Sequence, residues 1–310
     1  MSDIHGGHRN PAAIADRRAL AALFAGACGI AFAPIFVRLS ELPPTATAFQ
    51  RFALAVPVLW AWLAISDALD KRNGRPRRRR PAVPADYAIL ALAGLFFAGD
   101  MGFWHWSITY TSVANATLLA NTAPVFVVLG GWIIFGQRVR PLFLIGMATA
   151  MAGTVVLMHT SIALGERNML GDALGIVTGV FYAAYLMTIE RLRAAYDTMT
   201  IMAFAIPVSA LAMLGVSVAA GEPLLPPSAT GWTVLIALAL VSQVFGQGLI
   251  AYGLAHLPVA FASVSLLVQP VMATFWAWLL LAEPLGPTQA LGAVVVLAGI
   301  YIARRAGTGV

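Results

Sequence analysis

The chain has 310 residues, 60% of them hydrophobic and only 10% charged, a balance found where apolar runs of about twenty residues cross a bilayer. That composition excludes a soluble domain between the runs. The net charge of +6 does not point to nucleic acid, because the basic residues fall in short segments at the ends of the runs, and the single cysteine, Cys28, excludes an intrachain disulfide.

Ten spans are expected. The first, at about 18 to 38, follows Arg9, Arg17 and Arg18 and carries Pro34. Ala25 to Cys28 faintly resembles a lipoprotein cleavage site, but nine further spans need a first helix to set their orientation, so this is read as a span and not a signal peptide. The second, at about 45 to 66, holds Arg51 and Pro57 and runs into a loop with seven basic residues, Lys71, Arg72, Arg75, Arg77, Arg78, Arg79 and Arg80. The third, at about 86 to 108, aligns Asp100, Trp104 and Ser107 on one helical stripe, with His105 and Trp106 nearer the outer surface as interface anchors. The fourth, at about 112 to 135, contains Asn115, Asn121 and Pro124, and Arg138 and Arg140 separate it from the fifth, at about 141 to 158.

The sixth span, at about 169 to 190, has a packing stripe of Gly171, Gly175 and Gly179, with Tyr182 and Tyr185 on a different face and Arg191 and Arg193 at its end. The seventh, at about 197 to 219, carries Pro207 and leads into a loop with Pro223, Pro226 and Pro227. The eighth, at about 229 to 253, places Gln243 and Gln247 four apart and hence on one face; the ninth, at about 258 to 281, repeats that spacing with Ser265 and Gln269, followed by Pro270. The tenth, at about 285 to 303, ends at Arg304 and Arg305. Threaded from a cytoplasmic N-terminus, this order puts sixteen of the nineteen basic residues on one side, with Arg167 alone in an opposite-side loop. The positive-inside rule then places both termini on the cytoplasmic side of the cytoplasmic membrane, with the basic cluster facing anionic lipid.

The stretch from about Gly102 to Gly153 recurs without gaps 146 positions later. Gly102, Ala116, Pro124, Trp132, Pro141, Gly146 and Gly153 meet Gly248, Ala262, Pro270, Trp278, Pro287, Gly292 and Gly299, and Thr117 meets Ser263. Ala55 to Val58 in the second span likewise resembles Ala205 to Val208 in the seventh. Each copy holds five spans, roughly 1 to 160 and 161 to 310, and an odd-span unit repeated in one chain must sit the opposite way up in its second copy. The expected fold is therefore an all-α integral membrane protein of ten transmembrane helices in two inverted-topology five-helix repeats.

Prolines in the fourth and ninth spans, Gly-Gln-Arg or Ala-Glu-Pro after them, and Pro141, Gly146, Gly153 or Pro287, Gly292, Gly299 beyond resemble the EamA family of the drug/metabolite transporter superfamily. The run Arg51-Phe52-Ala53-Leu54-Ala55 is also similar to that family, and Trp104-His105-Trp106 most resembles its YddG-type exporters of aromatic amino acids. Gln137 stands where the family often has an acid, so that role rests on Glu283. The resemblance implies export of small metabolites, with aromatic and other neutral amino acids foremost; another metabolite or a drug is the alternative cargo.

A carrier needs polar and aromatic groups facing a central cavity. Trp104, Asn121, Tyr182, Tyr185, Gln243, Gln247, Ser265 and Gln269 are the candidates for contact with a small-molecule substrate, and interhelical hydrogen bonding is the alternative role for the amides. Arg51 and Asp100 are intramembrane charges placed to pair with each other, with proton coupling as a second role for Asp100. Pro124 and Pro270 put matching bends into both halves, freeing carbonyls near Ala120 and Leu266 and offering hinges. The rival class is an intramembrane enzyme, but the chain has no His-Glu-x-x-His pair, no Gly-x-Ser-x-Gly turn and no Gly-x-x-x-x-Gly-Lys loop. No enzyme activity, metal or cofactor is expected, and a channel fits a duplicated single chain less well than a carrier does.

Overall fold

The computed structural model describes residues 11–74, 76, 78–111, 113–158, 168–282 and 285–306; the expectations for Arg9, Arg75, Arg77, Arg167 and Glu283 lie outside them. Lipid offers no partner for an unpaired backbone group, so each apolar run closes its own hydrogen bonds as a helix. Ten such helices follow in order: α1 (Arg17–Leu39), α2 (Pro44–Arg72), α3 (Pro84–Tyr110), α4 (Asn115–Phe135), α5 (Pro141–Met158), α6 (Met169–Arg193), α7 (Thr198–Ala219), α8 (Ala229–Gly253), α9 (Val259–Leu280) and α10 (Pro287–Ala306). Large apolar side chains such as Ile133, Ile134, Leu211 and Val294 stand exposed on the outside. That surface suits a bilayer as solvent.

The packing obeys a two-fold relation between the halves. α3 lies against α6 as α8 lies against α1, and α3 against α7 as α8 against α2, while α2 meets α7, α4 meets α9 and α5 meets α10 directly. The α5–α10 contact shows the sense of the repeat. A Cβ on Gly146 would lie 2.8 Å from the Gly299 carbonyl oxygen, and one on Gly292 would lie 2.9 Å from that of Gly153. Numbering rises along one helix and falls along the other, so equivalent helices run antiparallel and the repeats are inverted. The stripe on α6 packs as expected, with Gly171 against Thr111 and Gly179 against Leu119 and Thr122 of the α4 segment.

Two prolines lie inside unbroken helices, Pro57 in α2 and Pro207 in α7, and these two helices pack against each other. Pro207 has no N–H for the Ala203 carbonyl four residues back; the Trp60 indole N–H donates to that oxygen instead, at 2.8 Å.

At one end of the bundle the basic loop does not simply face lipid, as the sequence suggested. Arg78 pairs with Asp70 at 2.9 Å and with Asp197 at 3.4 Å, Arg80 bonds Asp67 and the Thr200 hydroxyl, and the Arg79 guanidinium lies 5.2 Å from the Tyr196 ring centre. Acids at the C-terminal end of α2 and in the α6–α7 turn thus pair with two of the loop's cations, and the Arg78–Asp197 contact joins the two halves. At the opposite end the Pro-rich loop does the same with neutral and acidic groups. Glu222 accepts from the Ala46 N–H in the first turn of α2 at 2.8 Å, and the Gln50 amide donates to the Leu224 carbonyl at 2.6 Å.

Candidate functional site

Four departures from regular helix converge midway along the bundle. α1 is interrupted at Ala31–Phe32 just before Pro34, α4 at Asn121–Thr122 and α9 at Leu266–Leu267. The last two breaks match across the repeats to within a residue. Pro124 opens the second segment of α4 and Pro270 lies in the first turn of the second segment of α9. α8 departs differently: Leu238–Gln247 is π-helical. There the close approach of Gly26 and Gly29 to α8 and the bond from the Ser242 hydroxyl to the Gly29 carbonyl at 3.0 Å tie it to α1. π segments are rare and gather at functional sites.

Between these interruptions lies a half-open cavity whose empty space, counting its open part, is about 770 Å3. Its walls come from the C-terminal parts of α1 and α3, the N-terminal parts of α2, α4 and α6, the middle of α9 and Gln247 of α8. All of the first five lie toward the end opposite the basic loop. The floor, on the basic-loop side, is aromatic. Tyr185 stacks on Phe97 at 4.5 Å and 13°, Phe52 leans on Phe97 at 5.2 Å, and all three are buried. Below them the packed core continues through Ile189, Ile201 and Met202.

Five of the eight expected substrate-contact residues line the cavity: Trp104, Asn121, Tyr182, Gln247 and Gln269, together with Arg51, Asp100 and Pro270. Trp104 is held by its indole N–H on the Thr117 hydroxyl at 3.3 Å, and the Asn121 amide donates to the Thr117 carbonyl at 2.7 Å. Three candidates do not line it. Tyr185 belongs to the floor. Ser265 is buried with its hydroxyl on the Phe261 carbonyl at 2.9 Å, because the break at Leu266–Leu267 uncouples its helical phase from that of Gln269. Gln243 and Gln247 part for a similar reason, since a π segment has more residues per turn and side chains four apart no longer stack. Gln247 reaches the cavity, whereas Gln243 accepts a hydrogen bond from Arg51 Nε at 2.9 Å.

The expected Arg51–Asp100 ion pair is not formed. No nitrogen of Arg51 comes within 4.0 Å of an Asp100 oxygen, and the guanidinium turns to Gln243, to Met101 Sδ at 3.5 Å and over the Phe97 ring at 5.9 Å. The Leu266 carbonyl is not free for a substrate either, since it accepts the Gln269 N–H at 2.9 Å. Ser107 and His105 are buried instead of wall-forming or surface-anchoring: the Ser107 hydroxyl donates to the Gly171 carbonyl at 2.6 Å, and His105 is 2% exposed. Trp106 alone of that pair reaches the outer surface. Thr117 and Thr178 complete the polar wall and were missed. Thr178 sits one turn before Tyr182, and Thr117 has a hydroxyl at its repeat position, so both had a signal.

The profile of the EamA-like transporter family matches the chain twice, over residues 17–159 and 169–305. The chain is 28% identical over 274 residues to an "Uncharacterized transporter" of Archaeoglobus fulgidus, covering 86% of this chain and 91% of that one. It is also 28% identical over 295 residues to the "Probable amino-acid metabolite efflux pump" of Escherichia coli K12, covering 91% and 93%. A solved crystal structure superposes with a TM-score of 0.74 over 94% of this chain and 98% of its own; at 20% identity it speaks for the fold alone. A double family match over almost the whole length, on ten spans and two inverted repeats, makes this chain a member of the EamA-like transporter family.

Proposed function

We propose that this protein exports small neutral amino acids, aromatic ones among them, across the cytoplasmic membrane, with both termini on the cytoplasmic side. The halves 1–160 and 161–310 alternate access to the shared cavity. One observation carries this reading: a mid-bundle cavity walled by the rings of Trp104 and Tyr182 and the amides of Gln247 and Gln269, at the point where helices of both halves break. Broken helices at a repeat interface supply substrate sites in secondary carriers, and a cavity that is mostly apolar with a few convergent polar groups suits an amino acid's side chain and backbone charges together. The relative in Escherichia coli supports the same class of cargo. Transport needs the Phe97–Tyr185 floor to part while the opposite end closes, and the paired breaks in α4 and α9 are the hinges for that exchange.

Counterflow in proteoliposomes tests the proposal. Unlabelled phenylalanine inside should accelerate uptake of labelled phenylalanine, and the absence of acceleration by any neutral amino acid would reject it. Hinge action at Pro124 and Pro270 is rejected by unchanged exchange in the Pro124→Ala plus Pro270→Ala protein.

A further inference from the structure

Arg51 and Asp100 are 5% and 4% exposed, both border the cavity, and they do not touch. A guanidinium has five N–H donors. Here Nε has a full hydrogen bond to Gln243, Nη1 has only the thioether of Met101, a weak acceptor, and Nη2 has no partner. Ionisable groups at membrane depth are expensive, and a purely structural pair would close on itself. This one is held open: Gln243 and Met101 hold the guanidinium, and no Arg51 nitrogen comes within 4.0 Å of the Asp100 carboxyl. Among the lining residues, these two and the Tyr182 phenol are the only ionisable side chains. The cavity therefore offers one guanidinium and one carboxyl group, a complement to a ligand carrying a carboxylate and an ammonium group. Nearby, Gln247 Oε1 is an acceptor without a partner, and Gln269 Nε2, beside the Tyr182 hydroxyl, makes no hydrogen bond within 3.5 Å.

We propose that Arg51 recognises the substrate's carboxylate and Asp100 its ammonium group, with Gln243 as the positioning residue that presents the guanidinium fork. The inference rests on the amino-acid reading above and deepens it: the cargo must be a zwitterion, and compounds lacking either charge are excluded. A planar fork matches a carboxylate in two parallel bonds, which a lysine ammonium does not reproduce.

The test is thermal stabilisation and counterflow inhibition of the reconstituted protein by phenylalanine, by phenethylamine, which lacks the carboxylate, and by 3-phenylpropionate, which lacks the ammonium. In the wild-type protein phenylalanine should act at concentrations at least about tenfold lower than either analogue. Arg51→Gln should abolish the preference over phenethylamine, Arg51→Lys should retain only part of it, and Asp100→Asn should abolish the preference over 3-phenylpropionate. Equal action of phenylalanine and phenethylamine on the wild-type protein, or a preference that survives Arg51→Gln, overturns the role of Arg51. If Arg51→Gln does not yield folded protein, the wild-type comparison and Arg51→Lys decide. Should no amino acid bind while 3-phenylpropionate stabilises the wild type but not the Arg51 variants, the amino-acid reading falls and the carboxylate site stands; no Arg51-dependent response to either carboxylate removes both.

Discussion

Replacing Gly299 by alanine tests the seam that holds the two halves together. The added Cβ would lie 2.7 Å from both the Ala150 Cα and the Gly146 carbonyl oxygen. Carbon contacts settle at about 3.5–4.0 Å, so α5 and α10 must separate by about 1 Å at this point. Backbone atoms, not flexible side-chain ends, stand in the way, and overpacking of this kind costs about 1–3 kcal/mol. Better helix propensity offsets up to about 1 kcal/mol of that. The expected net loss is about 1–2 kcal/mol, read as a lower unfolding midpoint of the detergent-solubilised protein. Gly248→Ala is the control: it is helical with nothing within 4 Å of a new Cβ, and should melt with or slightly above the wild type. Because Gly146 and Gly299 touch, the double alanine variant should lose less than the sum of the two single losses. If Gly299→Ala melts with the wild-type protein, the close antiparallel contact is refuted.

Ala282 closes α9 with φ 53°, where its repeat counterpart Gly136 closes α4 with φ 65°. A left-handed conformation costs a non-glycine residue about 1–2 kcal/mol, so Ala282→Gly should raise the melting temperature and Gly136→Ala, with nothing near its Cβ, should lower it. Trp104→Ala should weaken counterflow inhibition by phenylalanine about two- to tenfold relative to alanine, the worth of one aromatic contact. At the basic-loop clasp, burial alone pushes the Asp197 carboxyl up, but the N–H and hydroxyl of Thr200 and the charges of Arg78 and Arg80 hold it below the usual carboxylate range. A lowered carboxyl pKa contributes stability that is present above the unfolded-state value and is lost as the pH falls through the folded-state value. Asp197→Asn should therefore melt below the wild type at neutral pH, and the gap should narrow as the pH falls below about 4 and vanish only below the folded-state value.

The ten crossings and their inverted order were legible because lipid forces each run to be apolar and self-paired, and because the register of 146 carried the glycines and prolines of one half onto the other. The helix breaks in α4 and α9 were legible for the same reason, since a proline must lose one backbone bond. What escaped reading depends on phase and on competition between partners. The π segment of α8 carries no proline to announce it, and it separates Gln243 from Gln247. The break in α9 does the same to Ser265 and Gln269. Arg51 and Asp100 were assigned to each other on depth alone, whereas Gln243, from the other half of the chain, reaches the guanidinium first. Likewise the seven basic residues of one loop read as a lipid-facing patch, but Asp67, Asp70 and Asp197 are near enough to claim two of them.

In the α5–α10 seam Gly146 meets the image of Gly153 and Gly153 the image of Gly146, so the surface recognises itself when turned upside down. A polypeptide with only one half would carry a docking face for a second molecule of itself, provided that molecule entered the bilayer the other way up; a copy entering the same way would present its grooves in parallel and fail to mesh. Cutting the chain between α5 and α6 should accordingly leave two fragments that reassemble when produced together.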